Sequence, residues 1–149
     1  MKMKYVFGGL LAMMVMSFTG WEPDFEAAKK IAKEKDQLIL LNFSGSDWCG
    51  PCIRLRKEIF DNEQFSRMAD TTLIMVNADF PRNKKNQPDK QLQMQNEVLA
   101  DKYNPMGKFP FTVLLNADGK VLASWDGLPK ADAAVFAQQV KSICDVNKH

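Results

Sequence analysis

The sequence predicts an α/β domain, with a central mixed β-sheet flanked by helices on both faces. Three observations carry this. Two short apolar runs, Leu38 to Phe43 and Thr72 to Asp79, are separated by a helical pattern, and such a β-α-β unit requires parallel pairing. Two later runs, Phe111 to Leu115 and Val121 to Trp125, flank an Asp118-Gly119 pair, a hairpin signal that adds antiparallel strands. Helical patterns open and close this alternation and can cover both faces.

Each element has its own grounds. Asp24 is placed to cap a helix running to about Lys35, with Phe25, Ala28, Ile31 and Ala32 on one face. "LILLNF", Leu38 to Phe43, is continuous in apolar character and short, which favours a buried strand. "SGSD" follows as a loop. Ile53 to Phe60 reads as a helix, with Leu55 and Ile59 at i and i+4, and Asp61 is placed to cap a further turn or two through Met68. Thr72 to Asp79 is the next strand. Phe80 to Lys90 is polar, contains Pro81 and Pro88, and reads as a loop. Pro88 is placed to begin a helix to about Tyr103, with Leu92, Gln95, Leu99 and Lys102 on a mixed face. Asn104 to Pro110 breaks that helix before the hairpin. Lys130 to Val146 closes the chain as a helix, with Phe136, Val140 and Ile143 on its buried side.

Composition sets limits. The chain has 149 residues, which suggests one domain, and is 46% hydrophobic and 26% charged, a profile that supports a core without disulfide staples. The net charge of +2 comes from scattered lysines with no dense basic run, so no nucleic-acid partner is expected. Residues 1–20 stand apart. Lys2 and Lys4 precede an uncharged stretch from Tyr5 to Phe18 that has the length of a signal-peptide core and is short for a membrane span. Cleavage is expected near residue 19–20, with an N-terminal anchor or a buried helix as the alternatives. The protein is accordingly expected to be periplasmic or otherwise exported.

The chain has three cysteines: a close pair, Cys49 and Cys52, and a distant single, Cys144. The pair lies in "SGSDWCGPC", directly after a strand and at the start of a helix. There, free N–H groups and the macrodipole favour negative charge, which lowers a thiol's pKa and makes it nucleophilic. Cys49 is expected at the exposed lip and Cys52 one turn further in and more buried. Cys49 attacks a substrate disulfide in this reading, and Cys52 resolves the mixed disulfide. Pro51 restrains the first turn and Gly50 permits close approach. Other readings of the pair compete. Zinc needs two further ligands, for which Cys144 and the terminal His149 are the candidates, and the reading without a metal is preferred. Haem attachment needs a histidine where Ile53 stands. A structural disulfide across so small a loop constrains the unfolded chain little, but stays open. Cys144 reads as a small buried hydrophobe rather than a third redox thiol.

From Trp21 to the C-terminus the chain resembles the thioredoxin superfamily. "WCGPC" is similar to that family's active-site motif, and "KFPFTVLLNADGKVL" to its segment around a cis-proline, which assigns Pro110 as that proline. Gly127 resembles the glycine after the last strand. "CIRLRKEIFDNEQF" is closer to the exported branch, including the C-terminal domain of the bacterial transmembrane thiol-electron transporter. The resemblance implies a thioredoxin fold over residues 21–149. It also implies a docking surface built from Trp48, Phe109 and Pro110, on which a substrate chain pairs with the backbone of Phe109.

Departures from the family pattern are specific. The buried Asp beneath the second cysteine and its Lys partner correspond to Asn42 and Met75, and Lys57 stands where a helix-kinking proline is usual. Phe80 to Tyr103 is longer than in a plain thioredoxin and is a candidate partner surface. The expected function is an exported thiol-disulfide oxidoreductase, mainly a reductase, because Gly-Pro between the cysteines resembles thioredoxin, whose potential is about −270 mV. It needs no cofactor beyond the redox-active Cys49–Cys52 disulfide. Its expected partners are protein or peptide disulfides and a membrane thiol-electron donor, and it is expected to be a monomer. The alternatives are an oxidase or isomerase, or a thioredoxin-fold binding module with a structural disulfide.

Overall fold

The structure, a computed structural model, describes residues 20–148, so the leader or anchor expected over residues 1–20 lies outside the described residues except for Gly20. No described helix is long and apolar enough to cross a membrane.

Helix α1 (Phe25–Lys35) starts where Asp24 Oδ1 accepts the Ala27 N–H at 3.0 Å, and buries Phe25, Ala28 and Ala32. Strand β1 (Leu38–Ser44) is buried along its whole length. Helix α2 (Gly50–Leu55) begins three residues earlier than its apolar spacing predicts, because Cys49 acts as its cap and Pro51 is accommodated in the first turn. Its continuation, Arg56–Phe60, is a π turn closed by the Asp61 N–H on the Arg56 carbonyl at 2.8 Å. The wider turn lets the adjacent residues Ile59 and Phe60 both face inward. It falls where Lys57 stands in place of a kinking proline, so this chain distorts the helix by another route.

Helix α3 (Glu63–Thr72) is longer than the turn or two expected, and its cap is Asn62, whose Oδ1 accepts the Gln64 N–H at 3.0 Å. Asp61 instead takes the Arg56 Nε at 2.7 Å. Strand β2 (Leu73–Asp79) therefore starts after Thr72. A single 3-10 turn at Lys84–Asn86 interrupts the polar loop before α4 (Lys90–Tyr103). Asp89 caps α4 through the Leu92 N–H at 2.9 Å, so Pro88 precedes the helix instead of opening it. The buried residues of α4 are Asn96, Leu99 and Tyr103, while Lys102 is exposed. Strands β3 (Phe111–Leu115) and β4 (Val121–Asp126) lead to α5 (Ala133–Val146), which is capped by Asp132 and starts three residues later than expected.

The sheet order is β2-β1-β3-β4, with β1 parallel to β2 and antiparallel to β3, and β3 antiparallel to β4. The alternation of side chains along β1 and β3 builds two cores. Leu38, Leu40 and Leu114 pack with Leu55, Ile59, Phe65 and Phe136 from α2, the π turn, α3 and α5. Ile39, Leu41 and Val113 pack on the other face with Ala28, Ala32, Leu99 and Tyr103 from α1 and α4. A fully buried Leu, Ile, Val or Phe side chain among these, such as Leu40, Ile39, Val113 or Phe136, contributes about 1.5–3 kcal/mol. Cys144 is fully buried in the first core, and its thiol is pushed up to about 11, chiefly by burial.

The β3–β4 turn needs glycine twice over. Gly119 has φ +86°, and a Cβ there would meet the Tyr103 hydroxyl at 2.8 Å. That hydroxyl donates to the Gly119 carbonyl at 2.7 Å and ties α4 to the hairpin.

Candidate redox site at the end of strand β1

Strand β1 ends at Ser44, and the chain turns sharply into α2. The Gly45 carbonyl accepts the N–H groups of Trp48 at 3.2 Å and Cys49 at 2.8 Å. The indole of Trp48 folds back over Gly45 so closely that a Cβ at residue 45 would lie 2.2 Å from its Cε2. Only glycine admits this packing without displacing Trp48.

Cys49 is the N-cap of α2, with extended backbone, and its Sγ accepts the Cys52 N–H at 3.3 Å. The two cysteines are joined by a disulfide, with Cα atoms 5.2 Å apart. Both are nearly buried, at 5% and 3% exposure, so the expected contrast between an open Cys49 and a hidden Cys52 is small in this form. The reason is local: the disulfide and the cap hydrogen bond fold Cys49 onto the first turn. Gly50 and Pro51 are exposed beside them, and nothing lies within 4 Å of where a Gly50 Cβ would sit.

Trp48 is half-buried and packs edge-on to Phe109, with ring centroids 5.4 Å apart. Phe80 packs edge-on to Phe109 from another side, at 5.7 Å. The Trp48 Nε1–H donates to the Phe80 carbonyl at 2.8 Å. The Phe109–Pro110 peptide bond is cis, Pro110 is buried, and the Pro110 carbonyl accepts the Gly127 N–H at 2.9 Å. The structure thus brings Trp48, Phe109 and Pro110 together and gives Gly127, at φ +78°, a definite partner.

Several contributors escaped the sequence reading. Asp47 accepts the backbone N–H groups of Arg82 and Asn83, each at 2.9 Å, and the Asn86 side chain at 3.1 Å. The Arg82 N–H is the largest of the influences that hold the Asp47 carboxyl below its usual range. Arg82 in turn lays its guanidinium over the Trp48 ring, 4.1 Å from the centroid. The loop after β2 is therefore latched to the cysteine loop. A polar residue just before Trp48 was visible in the sequence, but nothing local pointed to partners so distant.

Beside Cys52 the sheet is polar. Asn42 is buried at 4% exposure, donates to Asn77 Oδ1 at 2.9 Å and accepts from Thr112 Oγ1 at 3.1 Å. Its cross-strand neighbour is Asn77, while Met75 pairs with Leu40. The expected countercharge position is thus Asn77 rather than Met75, and both members of the pair are neutral amides. Cys52 and Asn42 line the same cavity, of about 260 Å³. Among the described residues, no three His, Cys, Asp or Glu side chains cluster as metal ligands would.

Residues 25–142 match the model of a family described as a thioredoxin-like domain. A relative in Chlamydia pneumoniae named disulfide bond reductase DsbH is 38% identical over 122 residues, which is 82% of this chain and 70% of that protein. A solved structure titled DsbH oxidoreductase superposes with a TM-score of 0.77 at 31% identity, covering 85% of each chain. The oxidised C-terminal domain of Neisseria meningitidis DsbD superposes at 0.53 and 19% identity, covering 78% of this chain and 89% of that one, a likeness of fold alone.

Proposed function

This chain belongs to the thioredoxin-like domain family, and on that footing we propose that it reduces disulfide bonds of exported proteins or peptides through Cys49 and Cys52. The observation that carries the proposal is the position of Cys49. It caps a helix, with its sulfur on the Cys52 N–H and its partner sulfur one turn on. In the reduced form that N–H and the aligned dipoles favour a thiolate at Cys49. The thiolate attacks one sulfur of the substrate disulfide, and the other sulfur leaves with the electron pair. Cys52 then attacks Cys49, restores the Cys49–Cys52 disulfide, and releases the second substrate thiol.

Docking follows from the surroundings. Among the described residues, the Phe109 backbone enters no backbone–backbone hydrogen bond, which leaves it open to an added strand. Trp48, Pro110 and the uncrowded Gly50 shape the approach to the cysteines. The direction of electron flow is read from Gly-Pro between the cysteines and from the reductase named among the relatives. The protein acts as a monomer without cofactor. A leader ending near residue 19–20, or an anchor over the same stretch, places it outside the cytosol, where a membrane thiol-electron donor recharges it.

The test is insulin reduction with dithiothreitol. Turnover should vanish in Cys49→Ser, and Cys52→Ser should accumulate mixed disulfides that mass spectrometry can identify. Equal background rates for wild type and Cys49→Ser would assign the domain to binding instead. A reduction potential above that of protein disulfide isomerase, about −180 mV, would make it an oxidase or isomerase.

A further inference from the structure

Resolution of the mixed disulfide requires Cys52 to lose a proton, and the amides Asn42 and Asn77 beside it are no bases. The carboxylates on neighbouring elements are mostly engaged elsewhere. Asp47 holds the Arg82 loop, Glu58 pairs with Arg54, and Asp61 pairs with Arg56. Asp79 is different. The cavity lined by Cys52 is also lined by Ser44 and Ser46, and both hydroxyls donate to Asp79, Ser44 to Oδ1 at 3.0 Å and Ser46 to Oδ2. The Ser46 N–H adds a third bond to Oδ1 at 2.9 Å.

The polar side chains beside Cys52 form one connected network. Thr112 donates to Asn42 and Asn42 to Asn77, and the Asn77 amide donates to Ser44 Oγ at 3.0 Å. Ser44 Oγ thus accepts from the Asn77 amide, and its single hydrogen has two acceptors in reach, Asp79 Oδ1 at 3.0 Å and Asn77 Oδ1 at 3.1 Å; when it points at Asp79, one lone pair is left to accept from water. The network ends on one carboxylate, set behind a cavity wide enough for ordered water. Arg56 and Lys57 are the charged groups that line this cavity, and Glu97 lines a smaller one with Asp79 on the α4 side.

We propose that Asp79 accepts the proton shed by Cys52 during resolution, with the Ser44 hydroxyl as the relay. This rests on the disulfide-reducing reading above. The Cys52 S–H bond breaks, its proton passes through cavity water to Ser44, and Ser44 hands its own proton to Asp79. The electron pair left on the Cys52 sulfur forms the bond to Cys49, and the Cys49–substrate bond breaks. That electron pair departs on the substrate thiolate. Protonated Asp79 returns its proton to solvent through Ser46, whose side chain is exposed. Asn42 and Asn77 are positioning residues that aim Ser44.

The experiment mixes reduced protein with excess of a symmetric aromatic disulfide whose released thiolate is coloured. The first, concentration-dependent burst reports attack by Cys49, and the second, concentration-independent burst reports resolution by Cys52. Cys52→Ser should give the first burst only. In Asp79→Asn and in Ser44→Ala the first burst should match wild type between pH 5 and 9. The second should slow by about a hundredfold at neutral pH, the low end of a positioned acid–base group's contribution, and climb more steeply with pH. A second burst of wild-type rate and pH profile in either variant overturns the proposal. So does uniform slowing with an unchanged profile, which is what a purely structural loss gives. If Asp79→Asn does not fold, Ser44→Ala alone decides. Absence of a Cys49-dependent first burst in wild type sinks the reducing function itself, a distinguishable failure.

Discussion

Asn42 and Asn77 face each other across β1 and β2, and the Asn42 amide donates to Asn77 Oδ1 at 2.9 Å. Asn42→Asp would set a carboxylate against that oxygen in a site of 4% exposure, with no cation in the pair. Burial raises the new carboxyl's pKa above about 3.9, the ordinary value for Asp. The charged form is then the costly one. Destabilisation of about 1–3 kcal/mol is expected at neutral pH. It should disappear as pH falls through the raised folded value. Denaturant melts at a series of pH values check this, and identical melts for both proteins would overturn it.

Asp47 latches the Arg82 loop, so Asp47→Ala should speed amide exchange at Arg82 and Asn83 and uncover Trp48. In wild type the Asp47 carboxyl is held below its ordinary value of 3.8, first by the Arg82 N–H. The latch is therefore fully set above that value and is lost as pH falls through the lower folded one. Hydrogen exchange at neutral and acid pH is the measurement, and equal protection of the two amides in both proteins would exclude the latch.

Gly45→Ala introduces a Cβ into the space held by the Trp48 indole. Overpacking of this kind costs about 1–3 kcal/mol. The indole should shift off Phe109, visible as a change in tryptophan emission, and insulin reduction should fall along with stability. An unchanged spectrum would mean that the turn yields more easily than its packing implies.

Cys144 provides a third pH signature. Its thiol sits at about 11, raised chiefly by burial, against an ordinary 9.0. The neutral form is favoured in the fold, so its contribution to stability is complete below about 9 and is lost as pH rises toward 11. At pH 8 about a thousandth of it is thiolate, so iodoacetamide should label Cys49 in the reduced native protein and leave Cys144 untouched until unfolding. Rapid native labelling of Cys144 would contradict its burial.

What could be read along the chain was what short-range physics controls. Apolar runs a few residues long gave the strands, 3.6-residue spacing gave the helices, and Asp118-Gly119 gave the hairpin. The cysteine pair was legible as lying at a helix start because strand, loop and helix follow one another directly, but the capping role of the Cys49 sulfur emerged only in the fold. Boundaries shifted by a few residues where the cap was a residue other than the expected one, as with Asn62 in place of Asp61.

The mixed α/β architecture and the seat of the cysteine pair within it follow from the residue order alone, because local propensity and helix-end electrostatics act over a handful of residues. Which polar groups surround that pair is set by long-range packing. Asn42 meets Asn77, Ser44 meets Asp79 and Asp47 meets Arg82, each across 35 residues of chain. Such pairings depend on the register of β1 against β2, and a shift of one residue turns every side chain to the other face.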